Sequence, residues 1–297
     1  MSKAKVAFLI IAILLIIAGG TLFGVCYAKG ARFDNNIEYS AKSYDFTEDF
    51  DNINLKLDIT AVEIVKGEST KVEATETSKY YHEVKIVDKT LTVESKDVSK
   101  WYEKFYVFFP NYKLKITLAK DTYNSFVSTN HVGALSFNSP FTFTNVDING
   151  STSNISFVEL NAKNVKIQTG TGSVEIDKGA ISEEIKVSTS TGGIVLKNIT
   201  AKNVRTSSST ASNSLDNVIA SSEITSSTST GSIRFDGIDA PFIKMEASTG
   251  SIRGSVLTEK VFVASSSTGS VNVPNTNNGG RCELKTSTGS INVIIKQ

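Results

Sequence analysis

The chain has 297 residues, 40% of them hydrophobic, so it can bury a core and is not a disordered tail. Its 31 basic and 30 acidic side chains leave a net charge of +1, which argues against nucleic acid as a partner. Only two histidines and two cysteines are present, so the sequence predicts no structural metal site and no cofactor.

The first predicted element is a transmembrane helix over residues 6–28, behind a short cytoplasmic tail over residues 1–5. No charged side chain falls between Lys5 and Lys29, and a helix of that length, rising about 1.5 Å per residue, crosses about 30 Å of hydrocarbon. A cleaved signal peptide is the alternative, but its apolar region is typically only about 7–15 residues long. We therefore expect a lipid bilayer as partner. The protein would be a single-pass protein of the cell membrane, with a cytoplasmic amino terminus and an extracellular body.

Residues 29–125 form the predicted membrane-proximal region, in which strands persist without a regular repeat. Segments such as NINLKLDI at 52–59 and KLKITL at 113–118 alternate apolar with polar residues, which is the period of a half-buried strand. An open solenoid end exposes backbone and core, so we expect this irregular region to be a cap.

Aromatic residues are concentrated in the same region. They are Tyr80, Tyr81, Trp101, Tyr102, Phe105, Tyr106, Phe108, Phe109 and Tyr112. A packed cap core is favoured over a platform facing sugar or lipid, because large aromatic side chains usually contribute to a core before they form a ligand surface.

Residues 126–297 carry an internal repeat built on a Ser-Thr-Gly-Ser-apolar motif, as in STGSIRF at 229–235. The glycine position recurs every 19 or 20 residues. It is occupied by Gly133, Ser153, Gly172, Gly192, Ala211, Gly231, Gly250, Gly269 and Gly289. The segments beside it alternate apolar residues, such as Ile194 and Ile233, with polar ones. A unit of this length is too short for a βαβ unit. The repeat therefore predicts an all-β fold, a single-stranded parallel β-solenoid with about 19–20 residues per coil.

The threonine before each glycine recurs as well, for example Thr191, Thr230 and Thr249. We expect these side chains to stack in a row that closes a corner of the coil through hydroxyl hydrogen bonds. A second interpretation comes from Thr-x-Thr pairs such as Thr228 and Thr230, since a flat outward array of this kind can order water as ice does. Their parity argues against it, because both threonines continue the apolar side of the preceding strand.

The anchor, the lead-in ending KLKITLAKDTYNSF at 113–126 and the repeated S-T-G-S-[IV]-x-[VF] units resemble the bacterial putative-adhesin family of unknown function, which includes LiaG-like envelope-stress proteins. The resemblance covers about residues 40–297. It implies a right-handed β-solenoid (β-helix) and a surface location of the Gram-positive type, and it transfers no catalytic residue. The unit SSSTASNSLDN at 207–217 departs from the pattern by placing polar residues where the repeat is apolar, so a looser coil is expected there.

The main alternative to a non-catalytic protein is an enzyme, because parallel β-helices include polysaccharide lyases and hydrolases with acidic residues stacked on adjacent coils. The aspartates in or near the turns are Asp147, Asp177, Asp216, Asp236 and Asp239. Aspartates in turns commonly make local hydrogen bonds, and the sequence contains no nucleophile elbow, phosphate-binding loop, HExxH or paired CxxC motif. The sequence therefore nominates no catalytic, cofactor-binding or metal-binding residue, and we expect a protein that is not an enzyme.

The expected function is a membrane-anchored adhesion, scaffold or envelope-sensing module, with a carbohydrate-active enzyme as the alternative. Its partner would be a cell-envelope polymer or a surface protein, because long repeated surfaces suit multivalent contacts. The final strands of the chain are predicted to form an uncapped end through which copies could associate. They contain Thr286, Thr288, Ile291, Val293 and Ile295.

Overall fold

The computed structural model describes residues 3–29, 38–101 and 111–296. Within those ranges the chain forms one helix, α1 (Lys3–Ala28), and 23 strands joined in one hydrogen-bonded sheet. The predicted β-solenoid behind an apolar helix is confirmed. The strands are β1 (Ser40–Phe46), β2 (Asn52–Ile59), β3 (Ala61–Lys66), β4 (Thr70–Glu76), β5 (Tyr80–Val87), β6 (Thr90–Asp97), β7 (Lys113–Leu118), β8 (Thr122–Val132), β9 (Leu135–Phe137), β10 (Phe141–Thr152), β11 (Ile155–Phe157), β12 (Leu160–Thr169), β13 (Val174–Ile176), β14 (Gly179–Thr189), β15 (Ile194–Ser208), β16 (Asn213–Thr228), β17 (Ile233–Ile238), β18 (Phe242–Thr249), β19 (Ile252–Val256), β20 (Lys260–Ser266), β21 (Val271–Asn272), β22 (Gly280–Thr288) and β23 (Ile291–Ile295).

Helix α1 is long and apolar enough to cross a membrane, judged by its length and composition. A signal sequence near an amino terminus has the same properties. Its side chains contribute nothing to the core of the strand region, which begins at Phe50.

Each regular coil has three faces. The first face is the short strand after the glycine position, where Val174 of β13 pairs in parallel with Ile155 on one side and Ile194 on the other. The second and third faces are the two halves of the next long strand, so that β12 pairs with β14 along both halves, with a register shift after Ala162. Alternate side chains on all three faces point inward. They form one continuous core that extends from Phe50 to Val293.

The polar unit at 207–217 keeps the register of its neighbours, and the looser coil expected there is not observed. Asn213 pairs with Ile194 in the preceding coil and with Ile233 in the following one. Its side chain is fully buried, and its Nδ2 donates to Ser226 Oγ at 3.0 Å. Ser226 Oγ also accepts from Thr206 Oγ1 at 2.8 Å. Hydrogen bonds among buried polar groups thus replace apolar contacts at this level of the core.

The amino-terminal end of the solenoid does not follow chain order. Strands β2 and β3 are inserted between the β6/β7 level and the β8/β9 level, with parallel pairing on both sides. Antiparallel strands then close the stack, since β5 pairs with β6, β4 pairs with β7, and β1 pairs with β4. This mixed arrangement covers one end of the stack, and we call it the cap.

The aromatic residues of the cap divide between core and surface. Tyr80 and Tyr112 are buried, and their rings stack with centroids 4.1 Å apart, as the cap-core interpretation predicts. Tyr81 is half-buried, whereas Trp101 is 59% exposed. Five further residues of this predicted cluster lie outside the described residues. They are Tyr102, Phe105, Tyr106, Phe108 and Phe109.

The carboxyl-terminal end also departs from chain order, and the prediction that the final strands form the open end is wrong. Strand β22 pairs with β18 on one side and β20 on the other, and β23 lies in the same way between β19 and β21. The last coil in sequence is therefore the second-last level in space. On its outer side, β20 and β21 pair with residues 280–286 and 291–292. Residues 293–295, at the end of β23, have no strand partner on that side among the described residues.

Candidate binding surface

A row of exposed hydroxyl groups follows one corner of the solenoid. It consists of the serines and threonines that lie one and two places before the glycine positions, and we call it the hydroxyl ridge. Its threonines are Thr152, Thr171, Thr191, Thr210, Thr230, Thr249, Thr268 and Thr288, and its serines are Ser151, Ser190, Ser209, Ser229, Ser248, Ser267 and Ser287. Because neighbouring strands lie about 4.8 Å apart, the ridge repeats its donors and acceptors at that interval.

Backbone hydrogen bonds tie the ridge of one coil to the next. Thr210 N donates to Ser190 O at 3.0 Å, and Thr230 N donates to Ser209 O at 2.9 Å. The amides and carbonyls are thereby used within the fold, while the side-chain hydroxyls remain at the surface.

The glycine position brings the corners of adjacent coils close together. A Cβ atom at Gly192 would lie 1.8 Å from Gly172 O, and one at Gly133, which has a φ of +134°, would lie 2.2 Å from Thr60 O. Glycine is needed at these positions because backbone, and no side chain, fills the space. The ridge is consequently continuous from coil to coil.

At six of the nine corners a hydroxyl lies three places before the glycine position. This hydroxyl, not one from the predicted threonine row, closes corners such as those after Thr169 and Thr286. Thr169 Oγ1 donates to Ser153 O at 3.1 Å, and Thr286 Oγ1 donates to Gly250 O at 2.9 Å. Both side chains are buried. The corner begins directly after this residue, so the next threonine in each Thr-x-Thr pair faces outward, and the prediction that both face inward is wrong for the second.

Two shallow grooves lie between the third face and the hydroxyl ridge. One has a volume of about 390 Å³ and is lined mainly by serines of four levels, among them Ser207, Ser227, Ser248 and Ser287, together with Glu246 and Lys285. The other, of about 340 Å³, is lined by uncharged residues of 149–150, 168–170 and 188–190. Ser227 Oγ donates to Ser207 Oγ at 3.2 Å across adjacent coils. The arrangement offers hydrogen bonds to a polar ligand that lies along the solenoid axis.

Charged residues on the flanking strands are largely paired with one another. Arg205 Nε lies 2.9 Å from Glu184 Oε1, and Lys244 Nζ lies 3.2 Å from Glu246 Oε1. Exposed pairs of this kind contribute little to stability. The pairing also lowers the net electrostatic potential next to the grooves, so this surface does not favour a strongly charged ligand.

Hydrogen bonds oppose an acid role for one of the turn aspartates, Asp236. Asp216 and Asp236 are register partners on adjacent coils, which is the stacking that the enzyme alternative needs. Asp236 Oδ2, however, lies 2.7 Å from Lys296 Nζ, and this hydrogen bond, with another from Ser255, lowers the pKa of Asp236. A general acid needs a raised pKa. Among the described residues, no group of three or more His, Cys, Asp or Glu side chains could hold a metal ion.

A buried polar cluster in the cap was not predicted from the sequence. Glu76 Oε1 accepts a hydrogen bond from His82 N at 2.7 Å and lies 3.2 Å from His82 Nδ1, and His82 Nε2 lies 3.2 Å from Thr60 Oγ1. Tyr80 OH lies 2.9 Å from the same hydroxyl, and Lys42 Nζ lies 3.0 Å from Glu76 Oε2. The available signal was that His82 shares the inward side of β5 with Tyr80.

This cluster has the carboxylate, imidazole and hydroxyl order of a nucleophile relay, but its burial argues for a structural role. Thr60 is 1% exposed, so a substrate cannot reach its hydroxyl. Burial lowers the pKa of His82 more than the neighbouring Glu76 raises it. The neutral imidazole links β5 to the end of β4 and to the β2–β3 corner.

Two comparisons relate the chain to known proteins, and a third, with curated proteins, gives no match. A putative adhesin from Parabacteroides merdae has a TM-score of 0.57 at 16% identity, over 87% of this chain and 97% of its own. A putative adhesin from Bacteroides fragilis has a TM-score of 0.52 at 16% identity, over 89% of this chain and 100% of its own. At these identities the likeness shows the fold alone. The Toastrack DUF4097 family model matches residues 50–208 and again 178–297, and the chain therefore belongs to the Toastrack DUF4097 family.

Proposed function

We propose that the protein is a membrane-anchored, non-catalytic binding module at the cell surface, and that its hydroxyl ridge contacts a polar polymer of the cell envelope. The observation that carries this proposal is the ridge itself, with its uncharged hydroxyls repeated on successive coils beside two grooves of about 390 and 340 Å³. A polymer with repeated hydroxyl or amide groups can occupy several levels at once, so weak single contacts add up.

The anchoring part of the proposal is supported by α1. Its apolar side chains are almost entirely exposed in the folded chain, among them Leu15, which is 67% exposed. A surface of this size needs cover, and a bilayer supplies it. The putative adhesins of the same fold agree with a surface role, although their names concern those proteins only.

The experiment measures cosedimentation of the full chain in lipid nanodiscs with purified cell-wall sacculi and with polysaccharide extracted from the envelope. We expect the triple variant Ser190→Ala, Ser209→Ala, Ser229→Ala to bind about tenfold more weakly, because each hydrogen bond contributes about 0.5–1.5 kcal/mol.

The matched control removes three exposed hydroxyls from the other two faces, with Thr142→Ala, Ser156→Ala and Thr200→Ala. This variant should bind as the wild type does. Equal losses in both variants, or no binding to either material, would contradict the ridge as the contact surface. Release of new sugar chain ends during incubation would favour the enzyme alternative.

A further inference from the structure

One end of the solenoid lacks a covering level. Among the described residues, β20 and β21 pair on one side only, with β22 and β23. Thr276 Oγ1, in the following loop, donates to Lys260 O and so covers the first residue of β20. The remainder of β20 presents a row of unpaired backbone groups at the end opposite the cap.

Apolar residues surround this free edge. Val271 occupies the position of its fully buried register partner Ile291, yet it is 43% exposed. Val261 and Val263, on the outer side of β20, are 39% and 49% exposed, and the inward Phe262 is only half-buried. Core residues are therefore exposed at this end, because no further level of the described residues covers them.

The other end of the stack is guarded. Its edge strands β1 and β5 carry exposed charges, including Asp45 on β1 and Glu83 and Lys85 on β5, and they run antiparallel to the strands they cover. Charges on an edge strand discourage pairing with another chain. In β20 the one charged residue is Lys260, which is buried and paired with Asp239. Protection against pairing is thus present at one end and missing at the other.

We propose that the free edge of β20 pairs with β20 of a second copy of this chain, in antiparallel orientation about a two-fold axis near Val263. A two-fold axis there sets Val261 opposite Ser265 and Phe262 opposite Ala264, so neither face brings like charges together. The pairing continues the sheet, and it brings the half-buried core residues of both copies into contact. This inference does not depend on the hydroxyl ridge.

A second copy fits this edge better than an unrelated strand because the sequence of β20 complements itself. Residues 261–265 contain no charge that would select an oppositely charged partner. Main-chain hydrogen bonds give affinity without side-chain specificity, and the exposed valines are then covered by their own symmetry mates. A different partner would have to supply a matching apolar strand of its own.

The first test is sedimentation velocity of the full chain in detergent micelles over a range of concentrations. We expect a reversible dimer, and we expect V263K to raise the concentration needed for dimerisation about tenfold or more, because it places two ammonium groups opposite each other. The control is V158K, at a valine that is 50% exposed and distant from the edge. A dimer that survives V263K would be formed by another surface, α1 included, and would overturn the proposal.

The second test is covalent capture. In a Cys26→Ala background, V263C should form an intermolecular disulfide on mild oxidation, since residues facing each other across an antiparallel pair have Cα atoms about 4.5–5.5 Å apart. The remaining Cys282 is buried and burial raises the pKa of its thiol to about 12, so it does not compete. V158C is the control.

Two results would overturn self-pairing. One is a wild-type chain that stays monomeric at the highest concentration while V263C forms no more cross-linked dimer than V158C does. The other is cross-linking of V263C in cells to a different envelope protein in place of its own copy, which would assign the edge to that protein.

Discussion

Gly133 shows at the scale of one residue why the repeat needs glycine. It has a φ of +134°, and a Cβ there would lie 2.2 Å from Thr60 O of the adjacent level. Both the backbone angle and the close approach oppose a side chain.

We predict that Gly133→Ala lowers the free energy of unfolding by about 2–3 kcal/mol, measured by urea denaturation. The control is Gly193→Ala, next to another corner, where a Cβ would lie 3.2 Å from Ser212 O with no positive φ. That variant should cost less than about 1 kcal/mol. Similar losses at both positions would contradict the tight stacking of the corners.

His82 predicts a pH dependence of stability. Its pKa in the folded state is lowered, first by burial, while Glu76 opposes the shift and Lys42 adds to it. The unfolded chain takes up a proton near the ordinary pKa of 6.5, whereas the folded chain does not until the pH is lower. The unfolded state therefore binds more protons below that value, and stability falls as the pH falls.

We expect the free energy of unfolding to decrease between about pH 7.5 and 5.5, and His82→Gln to flatten that slope. Tyr80 and Thr60 also contact this site through their hydroxyl groups. His131→Gln, at an exposed histidine, keeps the buried imidazole and should keep the slope. An unchanged slope in His82→Gln would show that other groups cause it.

At the scale of the element, the coils at both ends are stacked out of chain order. Strands β2/β3 and β22/β23 each lie between two other levels, although they are the first and the last coil in sequence. The segment between β19 and β20 must therefore step over one level, about 10 Å or two strand spacings. In both cases the coil nearest a terminus has strand partners on both sides, although β21 reaches only residues 291–292 of β23.

We predict that deletion of residues 280–297 frees the β20 coil, because β22 and β23 are the strands with which β20 and β21 pair. Limited proteolysis should then cut between residues 257 and 279, and the thermal unfolding temperature should fall by several degrees.

The control for this deletion is Asn277→Ser with Asn278→Ser, in the exposed loop before β22, which should leave the proteolysis pattern unchanged. Full protection of residues 260–272 after the deletion would mean that the β20 coil can stack directly on β18 and β19. That result would contradict a fixed order of levels.

At the scale of the whole molecule, one core extends through every level from Phe50 to Val293, and α1 lies outside it. The strand region therefore folds on contacts of its own, and α1 is available for a membrane. The cap carries the connection to α1 at one end of the stack, and the free edge of β20 lies at the other.

We predict that the chain fractionates with membranes and that protease added to intact cells digests the strand region. Ile13→Lys with Ile16→Lys should move it out of the membrane fraction, because each lysine near the centre of a helix costs about 2.5–3.5 kcal/mol on insertion. Thr21→Ser is the control and should behave as the wild type. Recovery of a soluble protein beginning near Lys29 would contradict an uncleaved anchor.

The coil and the helix before it could be predicted from the amino-acid sequence alone. The 19- or 20-residue period and the inward positions of Ile194 and Ile233 could be read directly, because the alternation of a strand and the corner glycine are local properties of the chain.

The order in which the levels stack could not be predicted from the sequence and is seen only in the folded chain. Strands β20 and β22 both present alternating residues to the core, so nothing local shows that β22 stacks first and that β20 forms the open end. The hydroxyl that closes the corner lies two places before the predicted threonine for a similar reason. The residue at which the chain bends depends on the backbone of the neighbouring coil. The cluster of Glu76, His82 and Thr60 joins β4 and β5 to the β2–β3 corner, which is separate from them in sequence. The hydrogen bonds and packing contacts between whole neighbouring levels select these arrangements. Their sum depends on which levels meet, so it cannot be read from any one segment.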